Sequence, residues 1–138
     1  MKPILLFSLL LLSCHKQTPN DLLQKAFEAE KNLQYKQAIG YFNTAIALDS
    51  SYADSYYHRG ICYAYLIKPN KAIEDYSKAI KLQPNFLAAY QERASIYYAI
   101  GKYDLGIKDI NFALQLAPRN KTSLNIRLLL VQEIRGTH

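Results

Sequence analysis

The sequence has 138 residues, half of them hydrophobic, and this length supports one packed core rather than two independent domains. Its 17 basic and 11 acidic side chains give a formal net charge of +6, which is mild. Because the basic residues are scattered singly instead of forming a run, the composition argues against a nucleic-acid-binding protein.

The N-terminal segment has the pattern of a secretory signal. Lys2 precedes an apolar run from Ile4 to Leu12, and Ser13 and Cys14 follow the run. The run is too short to span a bilayer, which needs about 20 apolar residues, but it suits the core of a signal peptide. An uncleaved signal with an incidental cysteine is the alternative interpretation.

Residues 11–14 read Leu-Leu-Ser-Cys and resemble the lipobox of bacterial lipoproteins. The resemblance implies that residues 1–13 are a lipoprotein signal peptide that is removed, and that Cys14 gains a thioether-linked diacylglyceryl group. The new amino terminus is then open to acylation, for example with palmitate, and residues 14–18 form a short tether. The resemblance thus implies lipid anchoring at a membrane of the bacterial cell envelope, on its periplasmic or outer-membrane face.

A self-similarity with a fixed period follows this segment. Aromatic residues, arginine and proline recur in register: Tyr56 with Tyr90, Arg59 with Arg93, Tyr63 with Tyr97, and Pro84 with Pro118. Small residues recur in two further columns: Ala38, Ala72 and Gly106 in one, and Ala45, Ala79 and Ala113 in the other. Small residues at helical spacing mark places where helices approach closely, so each unit is predicted to be a helical hairpin.

The pattern, with its period of about 34 residues, resembles the tetratricopeptide repeat. The resemblance implies an all-α fold, a right-handed superhelical stack of helical hairpins that bury one another's apolar faces. The units are predicted at residues 19–52, 53–86 and 87–120, and residues 121–138 form a C-terminal capping or half-repeat helix.

Helix boundaries are predicted in chain order. Thr18 suits an N-cap, and Pro19 suits the first position of the helix that opens the first unit. In the middle unit Gly60 leaves room for the second helix, which begins at Pro69. In the third unit Gly101 suits a left-handed C-cap between the two helices.

Two arginines are each followed, at the same offset, by an acid: Arg59 by Asp75 and Arg93 by Asp109. The repeated offset places the arginine and the aspartate on the two helices of one hairpin. We interpret them as paired structural groups rather than an anion-binding site, because a partly buried arginine needs a carboxylate. Arg127 continues the arginine column without such an acid after it.

No catalytic, metal or cofactor site is predicted. If Cys14 is lipidated, Cys62 is the remaining thiol, and its place in a repeat column favours a small buried hydrophobe. The histidines are dispersed, and His58 has no metal-ligating side chain at ligand spacing beside it. The sequence therefore favours a non-enzymatic protein without a cofactor.

The resemblance implies that the first helices of successive units line a concave groove that receives a peptide or a segment of a partner protein. The groove-facing candidates are Leu23, Phe27, Tyr57, Ile61, Tyr65, Gln91, Ser95 and Tyr98. The alternative is that the tyrosines only fill contacts between repeats. Some members of the family bind the carboxylate end of chaperones through Lys, Asn and Arg. Here the equivalent positions carry Leu23, Phe27, Ala88 and Glu92, so an apolar or aromatic peptide is expected.

The last helix is apolar around most of its circumference, so part of its surface is expected to be exposed. Leu130 and Ile134 continue columns that contact a second helix in the preceding units, and we predict that a partner or a second copy of the chain covers Ile126, Leu130 and Ile134. A structural subunit that oligomerises or docks through this helix is therefore the alternative to a groove-binding scaffold.

Overall fold

A computed structural model describes residues 17–136. Within that range the fold is a stack of helical hairpins with seven helices and no strand. The helices are α1 (Pro19–Lys31), α2 (Tyr35–Leu48), α3 (Ala53–Tyr65), α4 (Pro69–Leu82), α5 (Leu87–Ala99), α6 (Tyr103–Leu116) and α7 (Lys121–Gly136). The all-α prediction is confirmed. None of these helices is both long and apolar enough to cross a membrane.

Consecutive helices pair as hairpins, α1 with α2, α3 with α4, and α5 with α6, and α7 packs on α6 and α5. The first helices of the hairpins also touch one another in the order α1, α3, α5, α7. They therefore form one continuous surface along the stack.

The helix boundaries agree with the predicted capping residues. Thr18 caps α1 in a capping box: its hydroxyl accepts from the Asp21 backbone N–H at 3.2 Å, and the Asp21 carboxylate accepts from the Thr18 N–H at 3.0 Å. Pro19 and Pro69 occupy the first positions of α1 and α4. Gly101 has φ +74° at the turn after α5, as predicted.

The turns after α1, α3 and α5 are three copies of one structure. Leu33, Ile67 and Gly101, at equivalent positions of the three units, have positive φ values of 59°, 55° and 74°. After α3 the N–H of Ile67 donates to Ala64 O and that of Lys68 to Tyr63 O, the pattern of a Schellman motif. Equivalent bonds follow α1 and α5. Two of the three left-handed positions are thus held by large residues instead of glycine.

Small residues bring the helices of each hairpin close together. The alanines at 38, 45, 72, 79 and 113 are all buried. A Cβ atom on Gly60 would lie 2.8 Å from Cε1 of the fully buried Tyr76, so the Tyr76 ring of α4 packs directly against the backbone of α3 there. Cys62 is buried in a cluster with residues of α1 and α2, which raises the pKa of its thiol to about 12. Its prediction as a buried hydrophobe is confirmed.

The predicted arginine–aspartate pairs are present as two-point contacts. Arg59 Nη2 and Nε donate to the Asp75 carboxylate at 2.6 and 2.8 Å, and Nη1 donates to Asn43 Oδ1 of α2 at 2.7 Å. Arg93 repeats the arrangement, with both bonds to Asp109 at 2.7 Å. Its Nη1 donates to the hydroxyl of Ser77 on α4 at 2.7 Å. Each arginine therefore joins the two helices of its own hairpin to the preceding hairpin.

The predicted exposure of Leu130 on α7 is wrong. Leu130 is 0% exposed, and a Cβ atom on Gly106 would lie 2.8 Å from its Cδ2 atom. Ile126 packs beside it against the core of α5 and α6, and Ile134 is partly buried. The reason is the direction of the column: Cys62, in the column of Leu130, also packs on the preceding hairpin. The exposed apolar residues of α7 are Leu124, Leu128 and Leu129 instead.

Candidate functional site

The surface made by the first helices has a concavity between α1 and α3. This concavity has a volume of about 690 Å³. We call it the aromatic groove, and its lining residues are Phe27, Glu30, Lys31, Leu33, Tyr35, His58, Ile61 and Tyr65. Three residues that the sequence nominated for a groove, Phe27, Ile61 and Tyr65, lie together here.

Aromatic rings form one wall of the aromatic groove. Tyr35 and Tyr65 stack in parallel, with ring centroids 4.6 Å apart and an interplanar angle of 4°. Tyr65 is nevertheless 65% exposed, and Phe27 is 37% exposed. Such rings offer a ligand a large rigid surface at a small entropy cost.

An acidic and a basic group meet in the same groove. His58 Nδ1 lies 2.9 Å from Glu30 Oε2, and both side chains are partly buried. The rings of Phe27 and Tyr57 pack edge-on against the imidazole, at centroid distances of 4.8 and 5.1 Å. The pair is therefore fixed in place by its neighbours and presents a carboxylate in a largely apolar wall.

A second concavity lies between α3 and α5, on the other side of Tyr65. We call it the Glu92 pocket; it has a volume of about 340 Å³ and is lined by Ile61, Ala64, Tyr65, Tyr76 and Glu92. Glu92 makes no ion pair or hydrogen bond through its side chain among residues 17–136, and burial raises the pKa of its carboxyl group. The buried hydroxyl of Tyr76 has no hydrogen-bond partner in the described part of the chain. The pocket thus holds one buried hydroxyl without a hydrogen-bond partner and, beside it, a partly exposed carboxylate.

The remaining groove candidates serve contacts within the stack. Leu23 packs against the core of the first hairpin. Tyr57 is wedged between Tyr76 and Phe86 at centroid distances of 5.9 and 4.8 Å, and burial raises its pKa to about 12. It therefore fills a contact inside the stack, between α4 and the N-cap of α5, instead of facing the groove.

The candidates on α5 are engaged with neighbouring helices. Gln91 donates to Asn120 and Ser123 at 2.7 and 2.8 Å, at the start of α7. The Ser95 hydroxyl donates to the Gln91 carbonyl at 3.0 Å. Tyr98 donates to Glu133 at 3.4 Å, and its ring lies 5.9 Å from that of Tyr103. These three residues do not join the aromatic groove.

Sequence reasoning missed four lining residues of the groove: Glu30, Lys31, Leu33 and Tyr35. Tyr35 begins a second helix, whereas the resemblance implied a groove lined by first helices. All four residues lie at or beside the turn between α1 and α2, and their position beside this turn was the available signal. Cys14 and the predicted signal peptide lie outside the described residues. No cluster of three or more His, Cys or acidic side chains within residues 17–136 could hold a metal ion.

Two segments of the chain match family models of the tetratricopeptide repeat. The matched segments are residues 53–86 and residues 87–120. Their limits coincide with the second and third units predicted from the repeat period. No curated protein sequence matches the chain.

Solved tetratricopeptide-repeat structures share the fold at low sequence identity. The first such domain of Spaghetti (RPAP3), bound to the HSP90 peptide SRMEEVD, is 24% identical, with a TM-score of 0.82, and the match covers 86% of this chain and 94% of that one. The Arabidopsis OM64 domain is 25% identical, with a TM-score of 0.80 and coverages of 83% and 95%.

A bacterial structure is also similar. The Yersinia enterocolitica type III secretion chaperone SycD, in complex with a peptide of the translocator YopD, is 16% identical, with a TM-score of 0.78 and coverages of 86% and 94%. Matches extend to 232 solved chains, so the fold alone does not identify a partner.

Proposed function

The chain contains tetratricopeptide repeats, and we propose that it is a non-enzymatic interaction module that binds an extended segment of a partner protein in its concave face. One observation carries this proposal: the aromatic groove is open, and Tyr65, a large aromatic residue, presents most of its side chain to solvent there. Peptides bound to the similar domains of RPAP3 and SycD support the same use of the fold.

The charges of the two concavities select the class of segment. The RPAP3 domain binds a peptide, SRMEEVD, that ends in acidic residues. Glu92 lines the concave face here without an ion-pair partner among residues 17–136, and when ionised it would repel such an end at close range. Glu30 is paired with His58 and stands beside Lys31, so the aromatic groove carries no excess of negative charge. We therefore infer a ligand with apolar or aromatic side chains for the aromatic groove and a basic side chain for the Glu92 pocket.

Selection from a random peptide library displayed on phage, with the full chain as bait, tests this function. We expect the selected peptides to combine an aromatic residue with Lys or Arg. Tyr65→Ala should lower their affinity about ten-fold, as expected for an aromatic anchor. Glu92→Gln should lower the affinity of the selected peptides, and most strongly for those peptides whose binding requires the Lys or Arg.

Tyr52→Ala is the matched control, because Tyr52 is 42% exposed but lines neither concavity. It should leave the affinity unchanged. Circular dichroism at 222 nm distinguishes lost binding from lost folding. Equal affinities for the Tyr65 and Tyr52 variants, or selection of acidic peptides, would refute the groove assignment.

We also propose that Cys14 anchors the module to a bacterial envelope membrane. The support is the sequence of residues 1–14, with its short apolar run and its Leu-Leu-Ser-Cys ending. In a bacterial host with the lipoprotein pathway, the chain should incorporate radioactive palmitate and sediment with membranes. Cys14→Ser should lose the label and accumulate as the longer precursor. Failure of the unchanged chain to take up label would exclude the anchor without affecting the groove.

A further inference from the structure

One face of α7 is apolar, exposed and flanked by arginines. Leu128 is 57% exposed and Leu124 is 44% exposed. Together with Arg127, Val131 and Arg135 they line a depression of about 330 Å³. We call these five residues the α7 face.

The α7 face occupies the columns that face a second helix in the preceding units. Leu128 continues the column of Gly60 and Ala94 into the last helix. Gly60 lies against Tyr76 and Asp75 of α4, and Ala94 shares a core cluster with Ile110 and Ala113 of α6. No helix takes this place beside α7 among residues 17–136.

Arg127 carries the charge signature of the missing contact. The arginines in its column, Arg59 and Arg93, each bind an aspartate of the second helix at two points. The guanidinium of Arg127 makes no ion pair or hydrogen bond within the described residues. A carboxylate placed as Asp75 and Asp109 are placed would complete the pattern.

We propose that the α7 face binds an amphipathic helix of a partner protein, seated as the second helix of a repeat and carrying an aspartate opposite Arg127. Arg127 and Arg135 on one face argue against a second copy of α7, because the copy would bring like charges together. The chain's own α2 lacks the acid, since Tyr41 stands where the later units have aspartate.

Side-chain volume further specifies the partner. In α4 the aspartate is followed by Tyr76, whose ring fits against Gly60. In α6 it is followed by Ile110, opposite the larger Ala94. Leu128 is larger still, so the partner residue after the aspartate must be small. The expected motif in the partner helix is small-x-x-Asp-small-x-x-small, where x is any residue.

A synthetic peptide provides a defined probe of this site. It has the sequence of residues 103–116, which contains Gly106, Asp109 and Ala113 at the required spacing, with Ile110→Ala to suit Leu128. Fluorescence anisotropy of the labelled peptide against the full-length chain should give saturable binding. Arg127→Glu should lower the affinity about ten-fold or more, as expected for loss of a close charge pair.

Charge reversal and a matched control make the test specific. A peptide that also carries Asp109→Arg should bind the Arg127→Glu chain better than the unchanged chain. Arg119→Glu makes the same charge change outside the α7 face and should leave affinity unchanged. The unmodified peptide, with Ile110 retained, should bind several-fold more weakly.

Three binding results would overturn the proposal: absence of binding at millimolar peptide, equal binding by the Arg127→Glu and unchanged chains, and equal binding of the Ile110 and Ala peptides. Self-association of the chain at tens of micromolar that Leu128→Glu abolishes would assign the face to a second copy instead, and would also overturn it. Circular dichroism of each variant establishes that α7 still folds.

Discussion

The turns between paired helices place large apolar side chains in a backbone conformation that suits glycine. Ile67 has φ +55° and is 88% exposed, so burial of its side chain does not offset the free-energy cost of this backbone conformation. A left-handed conformation costs an L-residue roughly 1–2 kcal/mol, and a β-branched residue is especially disfavoured there. The Schellman hydrogen bonds of Ile67 and Lys68 hold the turn in this conformation nevertheless.

Ile67→Gly should therefore raise the free energy of unfolding by about 0.5–1 kcal/mol, after allowance for the greater freedom of glycine in the unfolded chain. Urea denaturation followed by circular dichroism measures the change. Gly101→Ala is the reverse experiment at the equivalent turn, and it should lower stability by about 1 kcal/mol. Loss of stability in the Ile67 variant would mean that the exposed side chain makes a stabilising contact.

At the scale of the element, α7 has a buried side and an exposed side, and two leucines only two positions apart lie on opposite sides. Leu130 is fully buried against α5 and α6, whereas Leu128 is more than half exposed. Both are leucines in the middle of the same helix, so helix propensity affects them equally. Packing alone distinguishes them.

Leu130→Ala should lower the free energy of unfolding by about 2–5 kcal/mol, because it leaves a cavity in a core cluster. Leu128→Ala should change it by less than about 0.5 kcal/mol in the isolated chain. Thermal and urea denaturation of the two variants make the comparison. Similar costs for both would mean that Leu128 is covered in the isolated chain, by self-association or otherwise.

The whole molecule buries phenol and thiol groups that must stay neutral. Burial raises the pKa of Tyr57 from 10.0 to about 12 and that of Cys62 from 9.0 to about 12, and it raises the pKa of Tyr76 as well. Because the folded pKa values lie above the unfolded ones, this stabilisation is complete below about pH 9 and is lost as the pH rises towards 12.

Urea denaturation between pH 8 and 12 should therefore give a falling free energy of unfolding above about pH 9. Tyr76→Phe should reduce this alkaline loss, since it removes one of the groups that must remain neutral. At neutral pH the same change should not destabilise, because the hydroxyl has no hydrogen-bond partner to lose. If the unchanged chain and the Tyr76→Phe variant lose equal stability at alkaline pH, burial of the Tyr76 phenol does not contribute to that loss.

The hairpin stack was predictable because small residues recur where helices pack closely and prolines recur at helix boundaries, with the same period in each unit. Pro69 and Gly101 were predictable from residue type alone, whereas Leu33 and Ile67 were not, because their type disfavours the turn they form. Register would have placed them: both lie in the Gly101 column. The position of a residue within the repeat was predictable from the sequence, but the helix that this position contacts was not. Leu130 was wrongly predicted to be exposed for that reason.

The candidate groove was predictable only in part, for a different reason. Tyr57 and Tyr65 are the same residue type two turns apart on one helix, yet one is wedged between two aromatic rings and the other faces solvent. Their difference depends on Phe86, the N-cap of α5, which packs against Tyr57. Tyr35 reaches the groove from a second helix, a position that the repeat pattern does not mark.

The repeated arginine contacts bear on how such an array grows. The second and third units each carry their own arginine–aspartate pair, and Ser77 of the second unit accepts from the arginine of the third. A gene duplication that inserted a second copy of residues 53–86 after residue 86 would therefore supply every partner at once. The first unit has neither member of the pair, with Lys25 and Tyr41 in their places. The array can thus lengthen by one whole unit at a time without passing through an intermediate that buries an unpaired charge.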